Sequence, residues 1–412
     1  MQKFTLAIIG LFLGLVILLL AFGTGRRDEN DIVIWTQDFS HGRAVLDSLL
    51  DVYMTENSGV HVELRYYETE ELRSNYLIAA LGGSGPDLLY GPSDMIGPFH
   101  IMGVISPMED YFSAEELARF DEKATVYYKD RLYMLADRIG NHLTLVYNKK
   151  MISEPPQSTD ELFELAKDFS RDLDGDGLID SYALVWNFIE PFFFIPFLGG
   201  YGGWVMDENA QPTLNTEATI AACEFILKLR DAGVIPQECD LNIADQLFKT
   251  QNAAMIINGP WSWGGYIDAG VDIGLARIPK TPETGLWATP MVSATGYSLN
   301  VNLNDEKRER VLQLLRYLTS PEVELEFTKK LKAIPSRKEA LADPIFDHDV
   351  ILQNSMKQVL VGRSMPIDPE MRAIWDAMRP AYQSVLNGTL TPAAAAEKMQ
   401  KDAEKLIREM LN

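Results

Sequence analysis

What this 412-residue chain lacks narrows its chemistry. It holds two cysteines and five histidines, and the histidines (His41, His61, His100, His142, His348) show no metal-ligand spacing of the H-E-x-x-H kind. No G-x-S-x-G elbow is present. The glycine-rich run Leu81–Tyr90 (L-G-G-S-G-P-D-L-L-Y) has no Gly-Lys-Ser/Thr after it, so it is not a phosphate loop. Positive charge is also scarce: 37 Lys and Arg against 59 Asp and Glu leave a formal net charge of -22. That balance argues against nucleic acid and anionic lipid surfaces as partners, because both attract basic patches. Repeats, low-complexity tracts and long polar linkers are missing too. For two cysteines in an oxidising compartment, a Cys223–Cys239 bridge and a pair of buried small hydrophobes both fit.

The length exceeds one hydrophobic core and predicts two domains. Phe4–Phe22 is an apolar stretch flanked by Lys3 and by Arg26-Arg27. Signal-peptide cores run about 7–15 residues and bilayer spans about 20, so residues 1–29 read as an uncleaved membrane anchor or a signal peptide. In either case the remainder is expected outside the cytoplasm, tethered if the segment stays.

Asp31–Trp35 and Val60–Tyr66 read as buried strands. Val45, Leu49, Val52 and Tyr53 between them fall on one helical face, giving a β-α-β opening with parallel strands. Ser113 with Glu116 forms a capping box. Ser158–Ser170 and Thr216–Ala232 read as helices, the second carrying Ala222, Phe225, Ile226 and Leu229 inward and stopping at Gly233. Thr391-Pro392 starts a last helix whose apolar face is Ala396, Met399, Ala403, Leu406, Ile407 and Met410. The phenylalanine-rich run 192–197 suits a packed apolar helix.

Two stretches carry candidate chemistry. Asp172–Asp180 (D-L-D-G-D-G-L-I-D) has the spacing of a calcium loop, with Asp172, Asp174, Asp176 and Asp180 as oxygen ligands. Its twelfth position, normally a bidentate acid, is Ala183. A solvated acidic turn is the alternative, and no cofactor is otherwise required. Asn252–Tyr266 is an apolar run ending in Asn-Gly-Pro and followed by Trp261, Trp263 and Tyr266. Flat aromatic side chains beside a sharp turn suit a cleft wall or a core. A carboxylate pair such as Asp94 and Glu190 would also permit glycoside hydrolysis.

Asn187-Phe188-Ile189-Glu190-Pro191-Phe192, Gly199-Gly200-Tyr201 and Asn258-Gly259-Pro260-Trp261 together resemble the maltose/maltodextrin-binding proteins, the extracytoplasmic sugar-binding subunits of ABC importers. The resemblance extends through Gly85-Pro86-Asp87, Gly103–Phe120, Tyr147-Asn148-Lys149 and Ala276–Lys280 to Trp375. It implies an α/β, two-lobe periplasmic-binding-protein fold (type II-like) with a discontinuous hinge and a central ligand cleft, preceded by the N-terminal hydrophobic helix. The lobes would comprise residues 30–139 with 295–331, and 144–289 with 337–412. The implied function is capture of an oligosaccharide by hinge closure and its delivery to an ABC permease, by a monomer that is not an enzyme. A sugar-sensing receptor and a glycoside hydrolase are the alternatives.

Carried over by position, the resemblance places Glu190, Pro191 and Phe192 at a sugar contact, with Phe192 where Tyr is usual. It makes Trp261 and Trp375 stacking platforms and Asp94 a hydroxyl ligand, and Gln37 and Asp38 fall within reach of the cleft. Three positions depart from the pattern: Gly91 stands where the family has Trp, Met95 where it has Arg, and Asn141 where it has Glu. Aromatic faces cover the C–H face of a sugar ring while fixed polar groups satisfy its hydroxyl rim.

Overall fold

The computed structural model describes residues 31–38 and 40–410. Phe39 and the Phe4–Phe22 stretch, with its anchor-or-signal reading, lie outside the described residues. Among the described residues no helix is long and apolar enough to cross a membrane.

Strand Ile32–Thr36 is buried along its whole length, as a strand in a parallel sheet covered on both faces must be. Helix Ser40–Glu56 leads to strand Val62–Tyr66, which pairs in parallel with the first, Ile32 opposite Val62. Strand Leu88–Pro92 pairs in parallel on the other side. The expected β-α-β opening is present with one correction. Val52 is 47% exposed, because the helix buries the i, i+4 row Val45, Leu49 and Tyr53 and residue 52 falls on its flank.

Two long strands, Arg131–Gly140 and Met291–Asn300, join antiparallel. Along its main path the first sheet runs Ile334–Pro335, Arg131–Gly140, Met291–Asn300, Leu88–Pro92, Ile32–Thr36, Val62–Tyr66. The register between the two long strands shifts at Thr295/Gly296. A Cβ at Gly296 would collide with the backbone of Leu135 and Ala136, so this crossing of strands requires glycine. A second, four-stranded sheet runs Ile273–Ala276, Thr144–Asn148, Ala253–Asn258, Tyr182–Val185.

Each sheet has its own core, and the result is a two-lobe mixed α/β fold. One core gathers residues from Ile32 to Ile139 and from Ala294 to Ile334. The other gathers residues from Leu143 to Met291 and from Met371 to Ala403. Helix Pro191–Gly200, apolar on every side, is correspondingly sunk in the second core, with Phe194 against Tyr382 (centroids 4.8 Å apart). Helix Glu217–Asp231 buries Ala222, Phe225, Ile226 and Leu229 as its periodicity predicts, capped by the Thr216 side chain. Helix Pro392–Met410 buries Ala396, Met399, Ala403 and Ile407. Met410, expected on that face, is exposed at the helix end. Cys223 and Cys239 are buried free thiols, and desolvation pushes both up to about 12.

The backbone is special where the chain passes between cores. At the first passage Gly140 and Asn141 have φ of 115° and 31°. His142 follows, fully buried, with its pKa pushed down to about 3 by desolvation. The neutral ring stands edge-on to Trp263 with Nε2 3.3 Å from Ser355 Oγ. At the third passage, the buried Glu324 accepts hydrogen bonds from the backbone N–H groups of Ser336 (2.8 Å) and Arg337 (2.7 Å) on one oxygen, and from the Ser336 hydroxyl on the other. Burial holds its carboxyl well above the usual range.

The Glu324 clasp yields a prediction with a defined sign. Glu324→Ala strands two buried N–H groups and should cost about 2–6 kcal/mol, given roughly 1–3 kcal/mol per buried unsatisfied group. Glu324→Gln keeps the accepting oxygen. A carboxyl with a raised folded-state pKa contributes stability that is complete below its unfolded value and lost as pH rises through the folded one. Urea unfolding should therefore find Glu324→Gln gaining on the parent chain between pH 5 and pH 8. A pH-independent difference between the two would refute the assignment.

Candidate functional site

Strand Ala253–Asn258 is buried throughout and ends at Asn258. Gly259 takes the N-cap position in extended backbone, and Pro260 opens helix Pro260–Asp268, where its missing N–H costs nothing. Trp261 turns back over Gly259, so that a Cβ there would collide with the indole ring. Only glycine lets this Trp lie flat on the turn. Trp263 and Tyr266, further along the same helix, are fully buried. Asn258 Nδ2 donates to the Tyr266 hydroxyl (2.7 Å), which donates to Asp245 Oδ1 (2.6 Å). The stretch thus divides into a rigid base and one plate left accessible.

That plate faces a recess shared by both lobes. Gln37, Asp38, Tyr90, Arg138, Ile139, Thr295 and Ile334 line it from the first, and Pro260 and Trp261 from the second, with Asn141 at the passage between them. Asn141 donates to Ser293 Oγ at 2.9 Å. Gln37 carries a buried side-chain oxygen with no hydrogen-bond partner.

A second recess between the lobes brings Asp94 and Met95 opposite Trp375, with Arg73, Glu70 and Arg372 around them. Arg73 Nη2 donates to Asp94 Oδ2 at 2.7 Å, while Asp94 Oδ1 is buried and unpartnered. Trp375, on helix Glu370–Leu386, is largely buried as part of the second core. The departures at positions 91 and 95 prove to be coupled. A Cβ at Gly91 would lie 2.7–2.8 Å from the Met95 thioether, so the methionine fills the room that a side chain at 91 would take. Phe192 lies 6.4 Å from Trp261, centroid to centroid. Pro191 is buried at the first turn of its helix. Glu190 is held in a fork by Arg379, with contacts of 3.0–3.3 Å. The sequence-derived residues are therefore brought together in two groups, around Trp261 and around Trp375, with Glu190 held against helix Glu370–Leu386. Sequence reasoning missed Arg138, Tyr90 and Arg73. The signal for the first was the Asp137-Arg138 pair inside an otherwise apolar strand.

The acidic loop lies apart on the surface. Carboxylate oxygens of Asp172, Asp174 and Asp176 approach within 4.8 Å of one another. Backbone N–H groups of Gly175 and Gly177 donate to Asp172 and lower its pKa. Asp180 accepts from Leu173 N–H at 2.7 Å. Ala183 is buried on strand Tyr182–Val185 and offers no ligand atom.

Comparison with known proteins places these features in context. A family model described as bacterial extracellular solute-binding protein matches residues 48–354. A solved maltose/maltodextrin-binding domain from Bdellovibrio bacteriovorus, bound to maltotriose, is 46% identical with a TM-score of 0.89, covering 92% of this chain and 100% of that one. A maltotriose-binding protein of Pyrococcus abyssi is 28% identical over 86% of this chain and 77% of its own. A galactooligosaccharide-binding protein of Bacillus subtilis is 23% identical over 92% and 90%.

The Asp94 pair is testable without any ligand. Both side chains are mostly shielded, and removing one partner of a shielded ion pair leaves the other uncompensated. Asp94→Ala should lower unfolding stability by about 2–4 kcal/mol. Urea denaturation of the ligand-free chain measures it, and a change below about 0.5 kcal/mol, the range of ordinary surface substitutions, would contradict the pairing.

Proposed function

Since this chain belongs to the bacterial extracellular solute-binding protein family, we propose that it captures a maltose- or maltodextrin-like oligosaccharide outside the cytoplasm and delivers it to an ABC permease. The observation that carries the reading is the recess in which the Trp261 plate of one lobe faces Gln37 and Asp38 of the other. An indole covers the apolar face of a sugar ring, and carboxylate and amide oxygens take its hydroxyl protons. The unpartnered oxygens of Gln37 and Asp94 are acceptors of the kind such hydroxyls satisfy. Identity of 46% to a maltotriose-bound domain along nearly the whole chain favours α-glucosyl oligosaccharides over the galactosyl kind.

In this reading residues 30–139 with 295–331, and 144–289 with 337–412, form the lobes, and ligand contacts split between them convert binding into closure. Glu190, Pro191, Phe192, Trp375, Asp94 and Asn141 complete the contacts. The chain works as a monomer held to the membrane by residues 4–22. It performs no catalysis in this reading: its relatives are solute-binding proteins, and Asp94 and Glu190 are each engaged by a guanidinium.

Calorimetric titration of the purified chain with maltotriose, maltose, trehalose and galactooligosaccharides should give saturable binding strongest for maltotriose, with the sugar recovered intact by chromatography. Trp261→Ala should weaken it at least about tenfold, or about 1.4 kcal/mol. No binding across the panel would refute the function, and an unchanged affinity would remove Trp261 from the site.

The acidic loop fits calcium in part, since Asp172, Asp174 and Asp176 converge and the twelfth ligand is missing. We propose weak binding there, in the range of about 0.1–1 mM. Calcium at 10 mM would then stabilise the fold by about 1–3 kcal/mol by mass action. The unfolding midpoint should rise relative to EGTA, and Asp172→Asn should abolish the rise. Equal midpoints with and without calcium would leave the loop a solvated turn.

A further inference from the structure

We propose that Arg138 is itself a ligand-contacting residue, which together with Asp38 forms a clamp for two adjacent sugar hydroxyls. This rests on the carbohydrate-binding reading above and names a contact within it.

Arg138 sits near the end of strand Arg131–Gly140, in a run that is otherwise buried and mostly apolar. A guanidinium there must be fully paired or must face a polar ligand. Its pairing is partial. Nε lies 3.3 Å from Asp137 Oδ1, and Nη2 donates to Asp38 Oδ2 at 2.7 Å and to the Tyr90 hydroxyl. Nη1 has no hydrogen-bond partner among the described residues, and the side chain lines the same recess as Trp261, Gln37 and Asn141.

The group is also held still. The guanidinium carbon lies 4.6 Å from the centre of the Phe327 ring and 5.1 Å from that of Tyr90. Asp38 is fixed from the other side, because its backbone N–H donates to Thr36 Oγ1 at 2.9 Å and its carboxylate fills the space a Cβ on Gly42 would need. The result is a rigid pair, joined through Nη2 and Oδ2, in which Arg138 keeps a further donor, Nη1, and Asp38 a further acceptor, Oδ1, at the wall of the recess. A hydroxyl is both donor and acceptor. Two hydroxyls on neighbouring ring carbons therefore match the pair, one accepting from Nη1 and the other donating to Oδ1. The ligand class is a sugar with an unsubstituted vicinal diol, and both of its hydroxyls are read.

The test is a comparison of the parent chain with Arg138→Lys and Arg138→Met, titrated calorimetrically with maltotriose and a set of its monodeoxy derivatives. Lysine keeps the charge beside Asp38 and Asp137 but not the fork, and serves if the Met variant fails to fold. Loss of either of two adjacent hydroxyls should weaken the parent at least tenfold. The same deletions should change Arg138→Lys affinity less than threefold, while its unfolding midpoint stays near the parent's. Identical deoxy-sugar profiles for parent and Arg138→Lys, with both binding maltotriose, would overturn the clamp and leave the function standing. Failure of the parent itself to bind any sugar would overturn both.

Discussion

The pairing of strand Arg131–Gly140 with strand Met291–Asn300 is the contact on which the rest depends. These are the two long segments on which the chain leaves one core for the other, and they run antiparallel with Ser293 opposite Gly140 and Ala294 opposite Ile139. Binding the two crossings side by side means that neither moves without the other. It also places Arg138 and Asn141 on the floor between the lobes. The Gly296 close approach is therefore a condition of the site as well as of the sheet, since a side chain there would separate the strands that carry the cleft floor.

From that floor the cleft divides its chemistry between the lobes. The second lobe supplies aromatic surfaces on short helical turns, with Trp261 backed by a buried Trp263 and Tyr266. The first supplies polar atoms from strand ends: Gln37, Asp38, Arg138 and, through the next recess, Asp94. Preorganisation follows from what lies behind each group. Trp261 rests on a glycine turn, Asp38 is tied to Arg138, and Asp94 is tied to Arg73. Groups already locked before binding lose little entropy on contact with ligand. Met95 over Gly91 is the exception, an unbranched thioether that adapts in shape where the related pattern has a flat ring.

How much of this was legible in the sequence follows from the range of each interaction. Helix faces with a clear i, i+4 row, such as Ala222, Phe225, Ile226 and Leu229, were readable because periodicity reports burial directly. Val52 misled because an apolar residue on the flank of a face satisfies the same pattern loosely, and Met410 because a helix can outrun the core it packs on. The fold and the Trp261 turn were legible through short motifs with a strict backbone requirement, Asn-Gly-Pro-Trp above all. The setting of Arg138 was not, since it depends on Asp38 a hundred residues earlier in the chain and on rings from two other elements. Nor was the Met95–Gly91 coupling, which exists only once a strand and the following turn are folded.

Part of the contact between the lobes is electrostatic and exposed. The contacts between the lobes include two exposed ion pairs, His41 Nε2 with Asp268 Oδ2 (2.8 Å) and Arg372 with Glu70 (2.6 Å), beside Val359 and Ile367 packed against the first core. All four side chains of the pairs are more than a third exposed, and ion pairs so exposed are worth about 0–1 kcal/mol each. These two ion pairs alone contribute little to holding the lobes together. A ligand that bridged Trp261 and the Asp38–Arg138 pair, which line one recess, would add contacts that only the closed arrangement offers. A ligand that reached only one wall would leave the equilibrium where it stood, because an equal affinity for the open and closed forms shifts nothing. A closed form favoured by ligand would therefore select a molecule long and polar enough to reach both walls of the recess.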